Sequence, residues 1–75
     1  MKAERIEALA QHVEADEAFA DHFASLSRIA YDRGDRSSAV AFARHSRLHR
    51  VKAIEIRAIV GAYTKLADIA DRTLR

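Results

Sequence analysis

Only one place in this chain offers the backbone an easy way to turn round. There is no proline in 75 residues and there are two glycines. The first of them sits inside Asp32-Arg33-Gly34-Asp35-Arg36-Ser37-Ser38. Gly34 can take the left-handed conformation that closes a helix, which other residues enter only at a cost. Asp35 can then accept N–H bonds as the N-cap of a following helix, with its charge at the positive end of the dipole. The stretches on either side are rich in Ala, Leu, Arg and Glu, which favour helix. So short a connection forces two helices to fold back on each other. The expected fold is all-α: one domain over residues 1–75, an antiparallel two-helix hairpin with helix 1 at about 3–33, a turn at Gly34-Asp35 and helix 2 at about 36–74.

Within helix 1, Ile6, Leu9, Val13 and Ala20 share one face, while Phe19, Phe23, Leu26 and Ala30 share another displaced by about 80–100° on an ideal helix. A curved helix absorbs part of that drift. A break near Glu14–Glu17, with Asp16 capping a second segment, is the alternative.

Helix 2 is apolar over a far wider arc. Its second half places Ala58, Ile69, Ala62, Leu66, Ile59, Ala70, Tyr63, Ile56, Leu74, Ala67 and Val60 over about 200° at 100° per residue, where one neighbour needs a stripe of only about 100°. Such a helix is expected to touch two neighbours: helix 1 and another molecule. Ile56, Ile59, Val60, Tyr63, Leu66, Ala67, Ala70 and Leu74 form the expected interaction face. Self-association to a dimer forming a four-helix bundle is the first expectation, with a subunit of a larger protein assembly as the other. The apolar spacing along helix 2 is near 3.6, which points to bundle packing in preference to a strict heptad seam. Leu26, Gly34 and Ala39, around the turn, fall where a tetratricopeptide repeat has its leucine, turn glycine and small alanine, so this third of the chain resembles one such repeat. The resemblance implies a helix-turn-helix and nothing about a ligand.

Charge is uneven although the net value is only +2. Acids gather in helix 1 (Glu14, Asp16, Glu17, Asp21) and bases in helix 2 (Arg44, Arg47, Arg50, Lys52). Folding at Gly34 brings the two blocks level, so they are expected to neutralise one another across the hairpin. The same four bases are the candidate contacts if the dimer binds RNA or DNA instead, in the manner of plasmid RNA-binding proteins built as dimers of helical hairpins. Glu55 is the lone charge within the apolar arc. It is expected to be a buried polar residue paired with His12, which the fold-back puts at the same level, or with a base from a second chain.

No catalytic constellation is legible, so the chain is not read as an enzyme. His45 and His49 share a face at i,i+4, but without the glutamate of a zinc-binding helix. No metal or other cofactor is expected. The chain has no cysteine, no apolar run of the ~20 residues that span a bilayer, and a start, MKAERIEALA, unlike a signal peptide. A small cytoplasmic interaction or scaffolding protein is the expected function, acting without a membrane.

Overall fold

The structure is a computed structural model that describes residues 3–74. It is an all-α helical hairpin. Helix α1 runs Ala3–Asp32 with 30 residues and α2 runs Arg36–Leu74 with 39 residues. Together they make a rod of 62 × 15 × 12 Å. Helix α1 is continuous, so the break near Glu14–Glu17 does not occur. Asp16 is no cap; its side chain turns inward and is buried.

The turn is made by one residue in an unusual conformation and one residue doing two jobs. Gly34 has φ 79°. The Asp35 N–H bonds the Ala30 carbonyl at 2.9 Å and the Gly34 N–H bonds that of Tyr31 at 3.0 Å. These are the paired bonds of a Schellman closure, which satisfy carbonyls that the end of α1 would otherwise leave open. Asp35 then starts α2: its carbonyl takes the Ala39 N–H at 3.0 Å and its Oδ1 takes the Ser38 N–H at 3.1 Å.

The inner faces of both helices follow a strict alternation of three and four. On α1 the buried or half-buried row is Ile6, Leu9, Val13, Asp16, Ala20, Phe23, Ser27 and Ala30; on α2 it is Ala39, Phe42, Ser46, His49, Ala53, Ile56 and Val60. This is heptad spacing, which corrects the expectation of a 3.6 repeat. The 3.6 stripe read in the sequence belongs to the outside of α2. The inner row is hard to see because so many of its members are small or polar. Ala20 is fully covered and Ala53 is 2% exposed. Their size lets the backbones approach closely enough for serine hydroxyls to cross the seam. Ser27 Oγ donates to the Ala39 carbonyl at 2.7 Å and Ser46 Oγ to the Ala20 carbonyl at 2.8 Å.

The two glycines should respond to alanine with opposite signs. A Cβ at either position meets nothing within 4 Å, so only backbone conformation decides. Gly34→Ala forces a side chain into the left-handed region and should cost about 1–2 kcal/mol. Gly61→Ala, mid-helix, should gain about 1 kcal/mol. Urea melts followed by circular dichroism check both.

The cap gives a pH signature. Hydrogen bonds from the Ser38 hydroxyl and backbone N–H hold the Asp35 carboxyl below its ordinary value. A depressed carboxylate stabilises the fold above its unfolded value of about 3.9, and that stability is lost as pH falls through the lower folded value. Asp35→Ala should therefore lower Tm at pH 7 and leave it unchanged near pH 2, while Asp35→Asn, which also caps, should lose much less.

Candidate interaction face

With alanines and serines at many of the most buried positions, many of the large apolar residues of α2 point out. Val40, Leu48, Val51, Ile54, Ile59, Leu66 and Ile69 of α2 are all exposed, Ile54 at 62% and Leu66 at 59%. Their azimuth is what matters. Ala58 and Ala62 lie five and nine residues beyond the buried Ala53, which turns them about 140° and 180° away from the seam. Val51 and Ile69 fall in the same sector and Leu48, Leu66 and Ile59 beside it. Helix α2 therefore carries two apolar faces on nearly opposite sides. One is covered by α1 and the other is bare.

The structure divides the face expected from sequence between these two. Ile56 and Val60 are half-buried in the seam against α1. Tyr63, Ala67, Ala70 and Leu74 continue the seam's spacing but are exposed, because α2 is longer than α1 and runs on beyond its start. Ile59 and Leu66 are exposed on the side of α2 turned away from α1. Phe19, 52% exposed on α1, was not foreseen as part of any outer surface.

The buried polar pair is not the expected one. Glu55 and His12 are both exposed. Fold-back at Gly34 sets them at the same axial level, but level is not direction. His12 and Glu55 stand off the three–four row on their own helices, so each points out of the seam. The pair that does lie inside is Asp16 with His49, Oδ1 to Nδ1 at 2.9 Å, the Asp16 side chain 6% exposed. His49 stacks on Phe19 and Phe23 at centroid distances of 5.2 and 5.7 Å, and Phe23 also stacks on His45 at 5.2 Å. Asp16 Oδ2 is buried with no hydrogen-bond partner among the described residues. Four rings and one carboxylate thus pack on one flank of the hairpin. The row of residues 13, 16, 20, 23 against 42, 46, 49, 53 would have revealed this pair, had polar residues been allowed in a core row.

The acidic and basic blocks meet in part. Arg50 pairs with Asp21 at 3.2 Å and Arg57 pairs with Glu17, on the flank opposite the rings. Arg44, Arg47 and Lys52 are exposed and make no ion pair among the described residues. At 100° per residue, these three and Arg50 spread over about 200° of the helix, so they do not converge on one face. Among the described residues no three His, Asp or Glu side chains gather as metal ligands, and no helix is long and apolar enough to cross a membrane.

No protein-family profile, curated protein or solved structure matches this chain. The likeness to a tetratricopeptide repeat stops at the turn: α2 alone has 39 residues, more than the whole of a repeat of about 34.

The Asp16–His49 pair should matter most when broken on one side. His49→Ala leaves the buried Asp16 carboxyl without its hydrogen-bond partner and should cost about 1–3 kcal/mol. Replacing both residues by leucine should be near neutral or stabilising. Chemical denaturation of the three variants beside the parent measures it.

Proposed function

We propose that this chain is a self-associating interaction or scaffolding protein of the cytoplasm that acts without catalysis or cofactor. In this reading α2 is the central helix of a homo-oligomer, a dimer in the first instance. The bare apolar face of α2, opposite the seam, is the observation that carries it. Area supports the same reading. The surface of the hairpin is 5952 Å², whereas a compact monomer of 8.4 kDa is expected to expose about 4,600 Å². The excess, roughly 1,300 Å² per chain, is more than the ~800 Å² that each partner contributes to a standard protein interface. Contiguous exposed apolar side chains such as those of this face are a mark of interaction surfaces.

RNA or DNA binding by the same assembly is the competing function. What favours it is that Arg44, Arg47 and Lys52 are unpaired among the described residues. What weakens it is their spread around α2 and the neutralisation of Arg50 by Asp21. Retention on nucleic acid that falls steeply with salt would be its signature.

Light scattering at micromolar concentration should report more than one chain per particle. Ile59→Asp and Leu66→Asp should each dissociate the particle, with helicity by circular dichroism separating dissociation from unfolding. A folded wild-type monomer at that concentration overturns the proposal.

A further inference from the structure

We infer that the second molecule is a copy of this chain lying antiparallel on the outer face of α2, in the register that sets Glu55 against the partner's Lys65. The inference rests on the self-association proposed above and adds its orientation and register.

The outer face has its own three–four row: Leu48, Val51, Glu55, Ala58, Ala62, Lys65, Ile69 and Arg72. Rows of this spacing pack against each other along two helices. Glu55 and Lys65 interrupt the apolar part of that row with opposite charges. Both are exposed, and neither makes an ion pair among the described residues. They stand ten residues apart, about 15 Å along the helix at 1.5 Å per residue, so they cannot meet within one chain. A two-fold axis crossing α2 near Val60 brings them together twice, each Glu55 to the other chain's lysine.

The same axis matches the middle of the row by size, while at the row's ends it sets Leu48 against the partner's Arg72. Ala58 meets the partner's Ala62 where the helices come closest, and Val51 meets the partner's Ile69. Ile59 lies beside the partner's Ile59 on the flank. Three other alignments fit worse. A parallel dimer sets Glu55 against the partner's Glu55, like charge on like. Sliding the antiparallel pair by one heptad toward the turn sets Lys65 against the partner's Leu48 and Arg44 against the partner's Ile69. A slide of three heptads pairs Glu55 with the partner's Arg44 but leaves Leu66 and Ile69 level with the partner's turn, uncovered by its α2. Because the outer face is nearly opposite the seam, the four helices form a flat row with the two α2 helices in the middle. That differs from the closed four-helix bundle that the sequence suggests.

The chain has no cysteine of its own, so single cysteines can report the register. Ile59→Cys should cross-link to itself under mild oxidation. Val51→Cys and Ile69→Cys should each stay uncross-linked alone and join when the two are mixed. Glu55→Lys and Lys65→Glu should each weaken dimerisation by about tenfold in sedimentation equilibrium, since symmetry counts each lost pair twice. The double variant should return to within about threefold of the parent. Self-cross-linking of Val51→Cys would show a parallel pair and overturn the inference. Rescue of Glu55→Arg by Arg44→Glu, with none of Glu55→Lys by Lys65→Glu, would overturn the register. A wild type that never dimerises refutes the proposed function itself, and light scattering shows that independently of any cross-link.

Discussion

Close approach of two backbones is the constraint on which the rest of this molecule depends. Ser27 and Ser46 can reach carbonyls of the opposite helix only because Ala20, Ala30, Ala39 and Ala53 keep the seam thin. A thin seam stabilises through hydrogen bonds and dense packing, and its alanine positions have no room for leucine or isoleucine. The large apolar side chains are consequently displaced to the outside of α2. Hydrophobic burial is the dominant favourable contribution to folding, and a chain that keeps so much apolar surface outside is the kind for which the proposed self-association would supply the missing burial. Close packing inside and stickiness outside have one cause.

The seam also tolerates polarity in an instructive way. Asp16 and His49 face each other where a pair of aliphatic residues would serve stability at least as well. A directed hydrogen bond between side chains packed against phenylalanine rings has one geometry, whereas alanines slide past each other with little penalty. Between two helices lined with small residues, register is the quantity most in need of definition. The Arg50–Asp21 and Arg57–Glu17 pairs on the opposite flank favour the same alignment from the exposed side, where each contributes little alone.

How much of this was legible in the sequence depends on which signal a residue carries. Gly34 and Asp35 declared the turn, since few residues suit a left-handed closure or an N-cap, and the two helices followed within a residue or so of their observed ends. The double-sided character of α2 was also legible in its 200° arc. What escaped was the identity of each side. The large apolar residues of α2, Val40, Val51, Ile54 and Ile69 among them, are exposed and lie outside the seam. The true inner row contains Asp16, Ser27, Ser46 and His49, which no hydrophobic pattern selects. Glu55 and His12 were misplaced for a related reason. Counting from a turn gives the height of a residue along the rod, and its bearing has to come from the packed row.

The turn has a further consequence for how the chain acquires its structure. Asp35 belongs to both helices: its N–H closes α1, while its carbonyl and carboxylate open α2. Neither helix can unwind at that end without disturbing the other. The contacts nearest the turn, such as Ser27 with Ala39, also close the shortest loops and so carry the smallest entropic cost. Pairing is therefore cheapest beside Gly34 and becomes more demanding toward the open end. A hairpin of this kind assembles by zipping from one point, with contacts local enough to place it among fast-folding topologies.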